Sequence, residues 1–135
     1  MSQLKTFMVC SEDNAFQVVL EVNLEKLTPA MATEVNNFWG GNEARADLED
    51  GDVVRAVIRL YGSRMIAMML AAGGVHFDQE TNPEWAEQWT KQMQQLEGWP
   101  GPDGTPNGAL GIRVLVAEVV VPGFEEVELS EVRVP

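Results

Sequence analysis

The chain has 135 residues, 45% of them apolar and 22% charged, with a formal net charge of −12. Such a length and composition predict one soluble globular domain spanning 1–135, with a core that needs no disulfide or metal to hold it. The charge argues against direct binding of DNA or RNA, whose phosphates a field of this sign repels, and no run reaches the ~18–20 uninterrupted apolar residues of a membrane span.

Residues 1–16, MSQLKTFMVCSEDNAF, lack the basic start, apolar middle and small-residue cleavage site of a secretory signal. Cys10 is the single cysteine, so no internal disulfide is available. Both features predict a cytoplasmic protein.

Taken in chain order, LKTFMVC (4–10) and FQVVLEVNL (16–24) flank SEDNA (11–15), a cluster of turn formers. Phe16, Val18, Leu20, Val22 and Leu24 share one parity, the mark of a half-buried strand, so 4–24 reads as a hairpin. Thr28 and Pro29 then supply a helix cap and a first helical residue. Met31, Val35, Phe38 and Trp39 come next at helical spacing, and Gly40-Gly41 stops the run. The stretch WGGNEARADLEDGD (39–52) has room for a helical turn, broken by Gly51. Asp52 caps the helix after it. Residues 53–72 read as that helix, the longest in the chain and mostly buried, with Arg55, Arg59 and Ser63 on one narrow polar stripe.

Gly73-Gly74 ends that helix, and a brief extended piece, VHF (75–77), leads to a second cap-and-proline start at Asn82-Pro83. Trp85, Trp89, Met93 and Leu96 give an apolar stripe that predicts a third helix with both tryptophans in the core. WPGPDGTPNG (99–108) is a loop, in which Trp99 is the tryptophan expected to be exposed to a partner. LGIRVLVAEVVV (110–121) reads as a central strand. After Pro122-Gly123, FEEVELSEVRV (124–134) reads as an outer strand whose alternation slips near Ser130. The sum is an α+β domain: an antiparallel sheet of about four strands with three helices packed on one face, in the order β-β-α-α-α-β-β.

Catalytic and metal signatures are absent. DLEDGD (47–52) fails the calcium-loop pattern, since position 5 is Gly51, position 6 is Asp52 and position 12 is Ile58. One cysteine and one histidine are too few for a zinc site, no cofactor-binding glycine motif occurs, and Cys10 among apolar neighbours reads as a buried thiol. No metal, cofactor or catalytic residue is assigned.

The segments LTPAMATEVNNFWGGNEARADLEDGDVVRAVIRLYGSRMI (27–66) and AEVVVPGFEEVELSEV (117–132) resemble small acidic proteins of phage and prophage origin, in a domain-of-unknown-function family. The resemblance implies an accessory protein of a mobile element and brings no activity or site residues with it.

Three segments account for the whole charge imbalance: 43–52, 78–87 and 118–135. This predicts a non-enzymatic interaction protein that docks a basic partner, itself of a kind that binds nucleic acid. The residues assigned to that surface are Glu43, Asp47, Glu49 and Asp50, with Glu125, Glu126, Glu128 and Glu131 of the outer strand and Trp99 of the loop. Acidity of this degree also serves solubility, with or without a partner. A helix ~30 Å long separates 43–52 from 78–87, and leaves the first free to meet the C-terminal hairpin. An alternative is a small enzyme or ligand-binding domain with a sheet–helix pocket of Phe77, Trp85 and Trp89 near His76, the one candidate for proton transfer. The C-terminal strand, at a sheet edge, further predicts a homodimer formed through it.

Overall fold

A computed structural model of the chain describes residues 3–132. Strand β1 (Leu4–Cys10) and strand β2 (Phe16–Asn23) form the expected hairpin, antiparallel, with Phe7 opposite Leu20. Ser11 closes its turn: the Phe16 amide donates to Ser11 Oγ, which in turn donates to Asp13. Period two then sorts the side chains by face. Val18, Leu20 and Val22 are fully buried, whereas Met8 and Cys10 are exposed on the other side. Cys10 is therefore not the buried thiol its apolar neighbours predict, because its parity is opposite to that of Val9.

Helix α1 (Pro29–Phe38) starts where Thr28 Oγ1 accepts the Met31 amide at 3.2 Å. Helix α2 (Asn42–Leu48) replaces what the sequence offers only as a turn. Helix α3 (Val53–Ala71) begins on Asp52, whose carboxylate accepts the Arg55 amide at 3.1 Å. It buries Val57, Tyr61, Met65 and Met69 and leaves Arg55, Arg59 and Ser63 outside, as their stripe requires. Gly73 and Gly74, both at positive φ, end it with the Gly74 amide donating to the Met69 carbonyl at 2.8 Å.

Strand β3 (Val75–Asp78), helix α4 (Pro83–Gln94) and strand β4 (Ile112–Val119) complete the body. The sheet order is β1-β2-β4-β3, all antiparallel, and the chain has four helices instead of the expected three, in the order β-β-α-α-α-β-α-β, with α3 and α4 packed on the sheet. Strand β3 pairs only with the far half of β4, from Val116 to Val119. Along the near half α4 takes its place. The Val114 amide, which a longer β3 would bond, donates instead to the buried Thr90 Oγ1 at 3.1 Å.

Two further expectations are corrected. Of the predicted α4 stripe Met93 is buried, but the other buried residues are Ala86 and Thr90, one position on from Trp85 and Trp89. Trp85 is 45% exposed and Leu96 43% exposed, while Trp89 packs only partly on the core. The outer strand at 124–134 does not form over its described part. Phe124–Glu126 make a single 3-10 turn and 127–132 continue without a sheet partner; 133–134 lie outside the described residues. The reason is occupancy. Val119 is paired with Phe16 on one side and Val75 on the other, so a strand turning straight back from β4 finds no open side of β4 to join. Within one chain, therefore, the described part of the C-terminal segment is not a strand of the sheet.

Helix α3 crosses β1 so closely that a Cβ at Gly62 would stand 2.5 Å from the Val9 side chain. Val9 is β-branched near the backbone and cannot swing clear. Gly62→Ala is therefore expected to lower stability by about 1–2 kcal/mol in urea unfolding, overpacking outweighing the ~1 kcal/mol that alanine gains in helix propensity. Adding Val9→Ala recovers part of the loss; a stabilised single variant would contradict the close packing.

Candidate functional site

Of the three acidic segments, 43–52 is the most engaged in holding the fold. Its one arginine, Arg45, reaches back to the end of α1, where its guanidinium donates to the Asn36 carbonyl at 3.0 Å, the Trp39 carbonyl at 2.9 Å and the Gly40 carbonyl at 2.6 Å. It also donates to Asn36 Oδ1 at 2.8 Å. These carbonyls are the acceptors a helix end leaves open, and a cation there also suits the helix dipole. Glu49 reaches forward, bridging Arg55 and Arg59 at 3.1 Å each. With Asp52 as the α3 cap, the segment is a joint between two helices. Glu43, Asp47 and Asp50 remain exposed on it. The lone base in an acid-rich run was the signal for this role.

Residues 78–87 are likewise partly engaged. Asp78 accepts the Glu80 amide at 2.7 Å to turn the chain after β3, and Glu87 pairs with Lys91 at 2.8 Å. The Lys91 ammonium beside Glu87 holds that carboxyl below its usual range.

The C-terminal segment is different. Glu125, Glu126, Glu128 and Glu131 are all exposed, and among the described residues none makes an ion pair. Between them stand large apolar side chains that the body leaves uncovered: Phe124 at 93% exposure and Leu129 at 101%. No hydrogen bond or ion pair joins this segment to 43–52 among the described residues.

Trp99 is corrected outright: it is 7% exposed, with its ring 5.8 Å from that of Trp39 and 5.4 Å from that of Tyr61. Arg64 lies 4.5 Å over the Trp39 ring and covers the cluster from outside. The loop carrying Trp99 is folded back because Lys26 donates to Asp103, Thr105 and the Gly108 carbonyl. The Lys26 ammonium and the Thr105 hydroxyl together hold the Asp103 carboxyl down at about 2.

His76 sits on the open face of β3, opposite Glu118, while Phe77 points into the core. The pocket expected around Phe77, Trp85 and Trp89 is not what the chain builds. A groove of about 530 Å³ lies instead between α4 and 102–106, lined by Thr90, Lys91, Gln94 and Arg113 among others, and His76 does not reach it. Arg113 there is held by Glu21 at 2.9 Å. Among the described residues no group of three or more His, Cys, Asp and Glu is placed to hold a metal ion, and no helix is long and apolar enough to cross a membrane.

The arrangement defines a class: an acidic α+β domain with a four-stranded antiparallel sheet and an uncovered acidic-apolar C-terminal segment. The chain belongs to a family described as proteins of unknown function (DUF2528), whose model matches residues 17–129. Neither the curated proteins nor the solved structures give a match.

Ion pairs engage only four carboxylates among the described residues: Glu21, Glu49, Glu87 and Asp103. The rest repel one another across the surface. The melting temperature is therefore expected to rise between ~10 and ~150 mM sodium chloride as the Debye length falls from ~30 to ~8 Å. A flat or falling response in differential scanning calorimetry would contradict that balance.

Proposed function

We propose that this protein is a non-enzymatic interaction protein whose C-terminal segment docks a basic protein partner. The observation that carries the reading is the exposure of Phe124, Val127 and Leu129 between four glutamates, Glu125, Glu126, Glu128 and Glu131, that make no ion pair among the described residues. A folded monomer gains nothing by holding such side chains in water. A partner with an apolar cleft rimmed by Lys or Arg would cover them and neutralise the acids together. Glu43, Asp47 and Asp50 add a second anionic patch that steers a cationic partner without contacting it. The expectation that the partner binds nucleic acid, and the assignment to a phage or prophage accessory protein, rest on charge and on the sequence resemblance.

Affinity capture with the full chain tests the reading against two variants that leave the body untouched. Replacing the four glutamates by Gln is expected to weaken retention of basic proteins roughly tenfold or more, each exposed pair contributing about 0.2–1 kcal/mol. Leu129→Asp is expected to do the same through the apolar contact, and neither variant is expected to lower the melting temperature. Retention of the same proteins by both variants would refute the docking role of the segment.

A further inference from the structure

The chain itself carries a surface with the chemistry that its C-terminal segment calls for. Strand β1 is one edge of the sheet. The Leu24 amide donates to the Gln3 carbonyl and the Ser11 amide to the Phe16 carbonyl, so the odd positions of β1 bond inward to β2. Antiparallel pairing alternates, which turns the backbone groups of Leu4, Thr6, Met8 and Cys10 outward, free to accept another strand. Beside that edge runs a groove of about 300 Å³ between β1 and α3. Phe7, Val9 and Ile58 form its apolar floor, and Arg55 and Arg59 stand on its rim. Both guanidiniums are more than half exposed and share the single carboxylate of Glu49, so the rim keeps a net positive charge. The one charged residue of β1 is Lys5, of the same parity as Phe7 and Val9.

The segment matches this pattern position by position. As a strand, 125–131 presents Glu125, Val127, Leu129 and Glu131 on one face: two apolar side chains flanked by two acids. The groove offers an apolar floor with Arg55 and Arg59 on its rim, and Lys5 lies farther along β1. In a single chain both halves stay uncovered, with Leu129 at 101% exposure and the groove open, so the segment does not close on its own edge.

We propose that the groove between β1 and α3 receives the C-terminal segment of a second copy of this chain. Residues 125–131 add to the sheet as an outer strand beside β1, Val127 and Leu129 seat against Phe7, Val9 and Ile58, and Glu125 and Glu131 meet Arg55, Arg59 and Lys5. Reciprocal exchange gives a closed two-fold dimer. The proposal rests on the reading of the segment as a docking element and gives that segment a second copy of the chain to dock on when no basic partner holds it.

Sedimentation velocity of the full chain at about 100 µM, well above a micromolar Kd, is expected to show a dimer. Two charge-reversed chains separate this contact from any other. E125R/E131R makes the groove-facing side of the segment cationic against a cationic rim, and R55E/R59E makes the rim anionic against an anionic segment. Each alone is expected to dimerise at least tenfold more weakly, with unchanged circular dichroism. Mixed in equal amounts, each segment meets a rim of opposite sign in the other chain, and the heterodimer is restored to within a few-fold of wild type. A monomeric wild type, a segment docked on its own chain, or a dimer indifferent to Leu129→Asp and to both reversals would overturn the exchange. If the wild type is monomeric while segment variants still lose a basic partner, the docking role stands and the exchange alone fails. If the variants change neither, both fail.

Discussion

The close crossing of α3 over β1 is the constraint on which the rest of the molecule depends. Gly62 lets the helix backbone settle on Val9, and that contact brings Val57, Tyr61, Met65 and Met69 down onto the buried face of the sheet. With the helix so seated, Arg55 and Arg59 emerge beside the free edge of β1, where Glu49 ties them to the joint before the helix. A bulkier residue at 62 would lift α3 and alter the core and the groove together. Helix α4 meets a separate demand. The near half of β4 needs a partner for its Val114 amide, and Thr90 supplies one from a helix where a fourth long strand would otherwise run.

The acids divide by what they do. Asp52 caps a helix, Glu49 and Glu21 bridge arginines, Asp78 shapes a turn and Asp103 anchors a loop. Each is engaged with a named donor inside the fold. Of the glutamates in the C-terminal segment only Glu126 accepts a hydrogen bond among the described residues, from the neighbouring Gly123 amide at 3.4 Å, and they alternate with side chains that the core does not cover. Solubility alone explains the charge, but not Leu129 and Phe124 held in water beside it.

Local chemistry made much of this legible in the sequence. Thr28-Pro29 and Asp52 mark helix starts that form where they stand, and the parity of Val18, Leu20 and Val22 gives the buried face of β2. The misreadings concern what only the assembled sheet decides. Whether 124–134 joins it depends on whether β4 has an open side, and β2 and β3 occupy both; the slip in its alternation was the local hint. Parity also separates Cys10 from Val9 and His76 from Phe77, so apolar neighbours in sequence did not imply burial. On α4 the large aromatic Trp85 drew the stripe one position away from the small Ala86 that meets the core. Trp99, in a loop rich in proline and glycine, is buried because that loop is pinned at Asp103 by Lys26, 77 residues away in the chain, a contact no local pattern announces.

Amide hydrogen exchange across a dilution series tests most directly whether the β1 edge and the C-terminal segment are two halves of one contact. At high concentration, peptides covering 4–10 and 124–132 are expected to slow together, and on dilution both speed up together. Peptides from α3 and β4 stay protected throughout. Protection of one half without the other, or rates in both that ignore concentration, would contradict it.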